Sequence, residues 1–258
     1  QCTEQIKNQY GELKRAVPLA SAWNENNRLP PILMQFDTAQ LVLHQKENTT
    51  NLKRFGHLLD KKNNHEVITT SIVYVNTQFF VTTYIQGIVL DTAQSLANIR
   101  DLAQLQYKFN NYDEKPDSSF WLEQLDIAKH FLYRGDFIGQ FALPDLEFQH
   151  FGLIHGDFDR KNIIHAAGRN ILIDIEHIMY GPLAYDLSRP LKRICETEED
   201  RRDYIQAYDN KIDLSNNELI NGNIAFYIMQ AFNRAKWGYM REASESIKNL
   251  KLELDHKK

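Results

Sequence analysis

A polar segment between two apolar runs gathers the residues of this sequence that could do chemistry. Residues 152–177, GLIHGDFDRKNIIHAAGRNILIDIEH, contain three His, three Asp, two Asn and one Glu. Asp157 follows Gly156, and a carboxylate at such a turn could accept a proton from a hydroxyl nucleophile. Asn162 and Asp174 add an amide oxygen and a carboxylate, which are hard ligands that suit Mg²⁺. A base, an Asn and an Asp around magnesium are the working set of phosphoryl transfer.

Three motifs, in the right order, resemble those of the aminoglycoside phosphotransferase and choline kinase superfamily. HGDFDRKN at 155–162 fits the HxDxxxxN catalytic loop of kinase-fold enzymes, and LIDIE at 172–176 fits the metal-binding ID-x-E segment. GPLAYDLSRPL at 181–191 is similar to the G-x-x-x-x-DL element that follows in that superfamily. Gly rather than Arg after the motif histidine favours the small-molecule kinases over the eukaryotic-type protein kinases.

The resemblance implies a fold and an activity. The fold is α+β and protein-kinase-like, with two lobes: a small antiparallel-sheet N-lobe, residues 1–86, and a larger, mainly helical C-lobe, residues 87–258, which builds the acceptor pocket. The activity is an ATP-dependent transfer of the γ-phosphate to a hydroxyl group of a small molecule. Mg²⁺ is the implied metal, and GTP is the alternative nucleotide. No pattern in the sequence identifies the acceptor or the oligomeric state.

The family pattern, carried onto this sequence residue by residue, assigns the central roles. Asp157 is implied to be the catalytic base, and Asn162 and Asp174 are implied to hold magnesium. His155 is implied to be a structural member of the catalytic loop, and Asp186 to brace that loop by hydrogen bonds.

The same resemblance assigns roles around that centre. Glu176 is expected either to be structural or to lie on the substrate side. Arg160 and Lys161 lie beside the base in the sequence and are candidates for a contact with the γ-phosphate. FVTTYIQG at 80–87 is the expected hinge between the lobes. The backbone expected to meet the adenine is that of Thr83, Tyr84 and Ile85.

The residues before position 56 depart from the family pattern in the part that should clamp the nucleotide. Gly11 is the only glycine there, so a glycine-rich turn over the phosphates is missing, and SAWNENNR at 21–28 is the polar substitute. In LVLHQK, strand alternation puts His44 and Lys46 on one face, and both are candidates for the nucleotide-binding lysine position. The next helical segment, NTTNLKRFGHLL, offers that position no Glu partner.

Hydrophobic periodicity predicts strands first and helices later. Residues 31–90 contain four runs rich in β-branched and aromatic side chains around one helical segment, which predicts the order strand, strand, helix, strand, strand. FGLI, NII and NILIDI are predicted short strands around the polar segment. The predicted helices carry Asp91 as an N-cap, a buried face of Trp121, Leu125, Ala128 and Leu132, capping boxes of Thr197 with Asp200 and of Ser215 with Glu218, and a stripe of Ile224, Ile228, Ala231 and Ala235.

Composition limits the class of protein. The 258 residues are 43% hydrophobic and 25% charged, which is ordinary for a globular protein and argues against wholesale disorder. The net charge of −4, without a long basic run, predicts no nucleic-acid partner, and no apolar run approaches a membrane span. The two cysteines, Cys2 and Cys195, indicate neither a disulfide framework nor a zinc site, which favours a cytoplasmic location.

Two alternatives from other classes stay open at this point. The atypical N-terminal part allows a catalytically degenerate kinase-fold protein that binds a nucleotide or regulates a partner. Alternatively, His155 and Asp157, with the distal His177, could form the two-histidine, one-carboxylate iron site of an oxygenase. The oxygenase alternative leaves Asn162 and Asp174 unexplained.

Overall fold

The computed structural model describes most of the chain, in two compact units. The described residues are 2–19, 30–45, 49–63, 68–91, 97–111, 118–139, 142–209, 212 and 214–256. Residues 1–96 and 160–178 form one unit, called here the sheet unit, and residues 97–159 and 179–258 form the other, called the helical unit. The predicted polar turn at 21–28 and Lys46 lie outside the described residues. The predicted lobe boundary at 86/87 stays a prediction.

From β2 (Ile32–Phe36) to β5 (Phe79–Thr83), the elements follow the predicted order of two strands, a helical segment and two strands. Two short 3₁₀ helices, at Arg160–Asn162 and Ile175–His177, interrupt the strands of the polar segment. In chain order the described elements are α1 (Cys2–Tyr10), β1 (Leu13–Pro18), β2 (Ile32–Phe36), β3 (Gln40–Gln45), α2 (Thr50–Phe55), α3 (His57–Asn63), β4 (Ile72–Val75), β5 (Phe79–Thr83), β6 (Ile88–Val89), α4 (Ile99–Asn110), α5 (Ser119–Arg134), β7 (Phe151–Ile154), β8 (Ile163–Ala166), β9 (Arg169–Leu172), β10 (Met179–Pro182), α6 (Leu183–Arg193), α7 (Glu198–Asp209), α8 (Asn216–Lys236) and α9 (Met240–His256).

A five-stranded antiparallel sheet organises the sheet unit. Its strand order is β1-β2-β3-β5-β4, so the runs rich in β-branched and aromatic residues lie next to one another. Helix α1 contributes Ile6 to a buried cluster with Phe36, Leu41 and Val81 of the sheet. The burial of these four side chains from water stabilises the contact between helix and sheet.

A second, three-stranded sheet has the order β6-β8-β9. Its strands β8 and β9 come from the second half of the polar segment, after Asn162. Its last strand is tied to the loop before β4, because Leu172 N donates to Ile68 O at 2.9 Å and Leu172 O accepts from Thr69 Oγ1 at 2.9 Å. Thr69 is fully buried. These bonds join segments about a hundred residues apart in sequence into one unit.

The helical unit has a core of helices packed around a two-stranded pair of β7 and β10. The predicted face of α5 is confirmed, and so is the predicted stripe of α8, since both lie in this core. Among the described residues, no helix combines the length and the apolar character needed to cross a membrane. The buried side chains are Trp121, Leu125, Ala128 and Leu132 of α5 and Ile224, Ile228, Ala231 and Ala235 of α8.

Several predicted elements are confirmed, and two elements were not predicted. The α+β class is confirmed, with its antiparallel sheet followed by a mainly helical part. The single helix predicted between β3 and β4 is in fact two short helices, α2 and α3. The sequence patterns missed α1 and β1. Helix α4 begins at Ile99 with Asn98 as its N-cap. Residues 92–96, which follow the predicted cap Asp91, lie outside the described residues, so that cap stays a prediction. The Asn98 side chain accepts from Asp101 N at 2.9 Å, and Asp101 accepts from Asn98 N.

Candidate active site

The predicted catalytic loop begins where β7 ends. β7 pairs with β10, so that Ile154 lies opposite Met179 and the loop leaves from a fixed strand end. Gly156 has φ of 78°, a left-handed conformation that glycine adopts without the steric cost of a Cβ. This conformation gives a physical reason for the Gly between His155 and Asp157 in the motif.

The His155 ring supports the loop from inside the helical unit. It is fully buried, and it meets the Phe109 ring edge-on with 5.7 Å between centroids. Asp157 N lies 3.2 Å from His155 Nδ1, so the ring nitrogen accepts the backbone donor of the predicted base. The packing and this hydrogen bond fix the ring in place.

Asp186 is a buried carboxylate, 2% exposed, that accepts hydrogen bonds from two directions. From the catalytic loop, Gly156 N donates at 2.8 Å and His155 N donates at 3.3 Å. From helix α4, Gln106 Nε2 donates at 3.0 Å and Asn110 Nδ2 donates at 2.9 Å. Asp186 lies in the first turn of α6, which starts at Leu183.

Helix α7 completes this hydrogen-bond network with two tyrosines. Tyr204 OH donates to Gln106 Oε1 at 2.7 Å, and Tyr208 OH donates to Asn110 Oδ1 at 2.9 Å. Burial raises the pKa of Tyr204 well above its usual value, so its hydroxyl stays a donor. Because the tyrosines and the amides are each four residues apart on a helix, they align in two parallel chains. Both chains end at Asp186.

Arg189 forms an ion pair with Asp157. It lies on α6, one helical turn after Asp186, so one helix contacts the catalytic loop at two points. The Asp157 side chain is 13% exposed and that of Arg189 is 23% exposed, so the pair is partly shielded from water. Arg189 Nε is buried without a hydrogen-bond partner among the described residues. Burial and the charges of Asp186 and Asp157 raise the pKa of neighbouring Tyr185 to about 12, with Arg189 opposing them.

Asn162 and Asp174 lie in the sheet unit, at the two ends of the β8–β9 hairpin. Ile173 N donates to Asn162 O at 2.8 Å, which holds the two segments together just before Asp174. The Asn162 side chain is buried, and Asp174 has φ of 59°, a left-handed conformation that Asp adopts more readily than most residues. Such a backbone costs free energy and is often kept at functional sites.

The other predicted residues of the polar segment also lie in the sheet unit. Arg160 Nη1 is buried without a hydrogen-bond partner among the described residues, whereas Lys161 has a partner. The Glu176 side chain is 18% exposed, and its Oε1 lies 3.0 Å from His177 Nε2. The 3₁₀ helix that carries Glu176 contacts α2.

Several residues predicted to bind the nucleotide already have partners within the sheet unit. The His44 ring stacks on Phe80 with 4.4 Å between centroids, and its Nε2 lies 3.3 Å from Thr82 Oγ1. In the predicted hinge, Thr83 N donates to Ser71 O and Tyr84 N donates to Gln40 O, each at 3.0 Å. The N–H of Ile85 has no hydrogen-bond partner among the described residues.

The sequence match decides the family. Residues 56–216, more than half of the chain, match the phosphotransferase enzyme family (APH). The chain belongs to this family. The predicted resemblance and the predicted phosphotransferase class are therefore confirmed. The matched range contains the catalytic loop, the hairpin with Asn162 and Asp174, and helix α6.

Solved structures support the fold of this phosphotransferase. Choline kinase LicA from Streptococcus pneumoniae matches with a TM-score of 0.68 and 13% identity, over 96% of this chain and 97% of that chain. An ethanolamine kinase of Plasmodium vivax matches with a TM-score of 0.66 and 14% identity, over 96% of this chain and 86% of that chain. The aminoglycoside phosphotransferase APH(4)-Ia, in a ternary complex with AMP-PNP and hygromycin B, matches with a TM-score of 0.65 and 11% identity, over 98% and 97%. No curated protein matches the chain in sequence.

The donor set of the phosphotransferase suits magnesium better than iron. Among the described residues, no three His, Cys, Asp or Glu side chains are grouped to hold a metal ion. His155 Nδ1 already accepts from Asp157 N, and the iron alternative leaves Asn162 and Asp174 unexplained. Asn162 and Asp174 offer two oxygen ligands on segments joined by a backbone hydrogen bond. Mg²⁺ typically takes one or two carboxylates and fills its other positions with phosphate and water oxygens. The residues therefore fit this ion.

Sequence patterns missed the residues that hold Asp157 and Asp186. Arg189 follows the DL element directly, but a charged residue on a helix gives no sign of an ion pair across the fold. The signal that could have found the buried network was the equal spacing of two polar pairs. These pairs are Gln106 with Asn110 on α4 and Tyr204 with Tyr208 on α7.

Proposed function

We propose that this phosphotransferase is an ATP-dependent small-molecule kinase, which transfers the γ-phosphate to a hydroxyl group of its acceptor. The observation that carries the proposal is which residues lie within the family match. The matched range, 56–216, contains Asp157, Asn162 and Asp174, the three residues whose chemistry the transfer needs. A cytoplasmic location, predicted from the two cysteines, is part of the proposal.

The named relatives support the donor and the acceptor group. Choline and ethanolamine, the substrates in the names of two structural neighbours, each carry a hydroxyl. AMP-PNP, an ATP analogue, accompanies hygromycin B in the complex of a third neighbour. These names favour ATP as the phosphate donor and a hydroxyl as its acceptor.

In the proposed reaction, the Asp157 carboxylate accepts the proton of the acceptor hydroxyl as the new bond to phosphorus forms. Its ion pair with Arg189 stabilises the ionised form, which is the form a base needs. The hydrogen bonds from His155 N and Gly156 N to Asp186 hold the loop so that the base is oriented before the acceptor arrives. Orientation is the main contribution that this loop can make.

On the nucleotide side, Asn162 and Asp174 would hold magnesium, which when bound neutralises charge on the phosphates. Arg160 would donate to a phosphate oxygen, since a buried guanidinium nitrogen without a partner loses its hydration unless an acceptor replaces it. Ile85 N–H would donate to the adenine, because the backbone donors of Thr83 and Tyr84 are already used. His44 and Lys46 are the proposed residues for the nucleotide-binding lysine position. Lys161, like Arg160, is proposed to contact the γ-phosphate, and Glu176 is proposed to be structural or to lie on the substrate side.

Calorimetric titration of MgATP tests the nucleotide half of the proposal. We expect the wild type to bind, and Asp174→Ala to bind at least about tenfold more weakly in Mg²⁺ because a metal ligand is lost. The matched control is Asp126→Ala, an exposed position on α5, which should bind like the wild type. No binding by a folded wild type would overturn the proposal.

The degenerate alternative rests on one observation, the lack of Glu or Asp from 48 to 59, where the lysine of the clamp would find its partner. The two functions differ in turnover. A kinase releases ADP in the presence of a hydroxyl acceptor and loses this activity in Asp157→Asn while still binding MgATP. A degenerate protein binds MgATP equally with Asp157 or Asn at this position and never transfers phosphate.

A further inference from the structure

We propose that the hydroxyl acceptor carries an anionic group, a carboxylate or a phosphate, bound by Arg189, Arg193 and Arg234 beside Asp157. This inference rests on the proposed function, since it assigns the acceptor to the helical unit that holds the base. It also goes beyond the named relatives, because choline and ethanolamine are cations.

Arg189 places positive charge directly on the predicted base. It pairs with Asp157, yet its Nε is buried without a hydrogen-bond partner among the described residues. A buried charged donor without an acceptor costs free energy, which an anionic ligand would recover. The guanidinium also has the forked donor geometry that matches a carboxylate or a phosphate.

Arg193 and Arg234 extend this charge away from the base. Arg193 lies four residues after Arg189 on α6, on the same side of the helix, and α6 packs against α8, which carries Arg234. Arg234 Nη1 donates at 3.2 Å to Glu242 O and to Ser246 Oγ, neither of which is a carboxylate. Within the described residues, Arg193 and Arg234 form no ion pair.

The charges that act on the Arg234 side chain include those of both other arginines. Burial lowers the pKa of Arg234, and the charge of Arg193 lowers it further. Glu242 and Glu245 of α9 oppose this effect, and Arg189 adds to it. The two glutamates are exposed, so solvent screens their charges, whereas Arg189 and Arg234 are only partly exposed. The net direction is a lowered pKa, as expected where positive charge is in excess.

Lys192, which precedes Arg193 on α6, is a cation with a carboxylate partner. Lys192 Nζ lies 2.7 Å from Glu253 Oε1 and over the Tyr227 ring, 4.7 Å from its centroid. Asn223 Nδ2 donates to the other carboxylate oxygen of Glu253 at 3.2 Å. The structure therefore supplies a carboxylate to Lys192, while within the described part of the chain Arg189 pairs only with the predicted base and Arg193 forms no ion pair.

The spread of the arginines favours the acceptor over the transferred phosphate as their ligand. In the proposed reaction, phosphoryl transfer takes place at Asp157, with which Arg189 forms an ion pair. Arg193 lies about 6 Å further along the axis of α6, given the rise of a helix. Charge at that distance suits a group that the acceptor carries away from its reacting hydroxyl, and it would repel a cationic acceptor.

Proton–nitrogen NMR of the arginine side chains tests the inference on the full chain without nucleotide. The probes are inorganic phosphate and malonate, with choline chloride at equal ionic strength as the cationic control. We expect the Nε–H signals of Arg189, Arg193 and Arg234 to shift with one of the anions and not with choline. The anion that shifts them more identifies whether a phosphate or a carboxylate is preferred.

Two variants make the result specific. Arg193→Gln, at an exposed position that should fold normally, is expected to weaken the anion affinity by about tenfold. Arg202→Gln removes the same charge from an exposed position on α7 and should leave the affinity unchanged. Equal shifts at Arg202 and at the three arginines, or shifts with choline, would overturn the inference.

The same measurements separate this inference from the proposed function. Anion binding at the arginines without MgATP binding would overturn the kinase function and leave the anion site standing. MgATP binding with turnover of a cationic or neutral acceptor, and no shift with either anion, would overturn the anionic acceptor alone.

Discussion

Asp186 Oδ1 lies 2.8 Å from the backbone nitrogen of Gly156, and its other oxygen accepts from the nitrogen of His155. One buried carboxylate therefore holds the two residues that precede Asp157. Since hydrogen bonds to a charged acceptor are stronger than those to a neutral one, the charge of Asp186 contributes to the order of the loop.

Asp186→Asn should remove that charge. It would also replace one of the two acceptor oxygens by an amide NH₂ group, which cannot accept from a backbone N–H. We expect the free energy of unfolding to fall by about 2 kcal/mol or more, and the turnover rate to fall with it. Denaturant titration and ADP-release assays measure the two effects. Asp203→Asn is the matched control, because Asp203 pairs with Arg100 on the exposed surface, where such pairs contribute about 0–1 kcal/mol. Equal losses in both variants would contradict the role of Asp186.

Gly156→Ala should combine a backbone cost with a loss of activity. A residue with a Cβ in the left-handed conformation costs about 1–2 kcal/mol. Gly168→Ala carries a similar backbone cost, since Gly168 has φ of 75° at the β8–β9 turn with no atom near its Cβ position. Thermal melting should therefore show similar losses for the two variants, while only Gly156→Ala loses transfer. Full activity of Gly156→Ala would show that the loop conformation is not required.

Tyr204→Phe should weaken the catalytic loop from a distance. The change leaves Gln106 Oε1 buried without its 2.7 Å donor, at a cost of about 1–3 kcal/mol. We expect a lower turnover rate with little change in the affinity for MgATP, because the network ends at Asp186 in the helical unit. Stability and kinetics of Tyr74→Phe serve as the control, since the Tyr74 hydroxyl has no hydrogen bond among the described residues. A stability loss without any kinetic effect would limit the network to a structural role.

Glu218→Gln should cost stability at neutral pH and little in acid. Burial raises the pKa of Glu218, but hydrogen bonds from Gln149 N, the His150 side chain and His150 N outweigh it, so the net pKa is lowered. A lowered pKa gives stability that is present above the ordinary pKa of Glu and is lost as the pH falls through the folded value. The deficit of about 1 kcal/mol at pH 7 should therefore shrink below about pH 4.5.

Denaturant titrations of wild type and Glu218→Gln at both pH values measure this difference. Glu123→Gln, an exposed position on α5, is the control and should show no comparable pH dependence. A deficit that stays constant from neutral to acid pH would mean that the charge of Glu218 contributes nothing.

Periodicity predicted most of the elements because it reports which side chains face a core. The alternating runs became β2 to β5, and the helical stripe from Ile224 to Ala235 is buried in α8. Local caps were harder to predict. Asp91 and Asn98 are both good N-cap residues with a polar residue three positions later, and the two patterns are equally good by sequence. Ser215 does accept from Glu218 N, but Glu218 itself turns to His150.

The motif alone predicted the residues of the catalytic loop, while the residues that hold it needed the structure. Asp157, Asn162 and Asp174 are separated by short, fixed spacings that sequence records directly. Gln106 and Arg189 act across the fold, so no local pattern marks them. A polar side chain on a helix normally faces water, and its burial is decided by tertiary partners such as Tyr204 and Asp186.

The sheet unit is built from two separate stretches of chain, residues 1–96 and 160–178. Recombination with a relative at one crossover would therefore split it, since β9 from one parent would meet the Ile68–Thr69 segment of the other. A chimera that exchanges this unit whole needs three junctions to agree, at 96/97, at 159/160 and at 178/179. A single crossover therefore cannot exchange this unit whole, whereas a point change within the helical unit leaves all three junctions as they are.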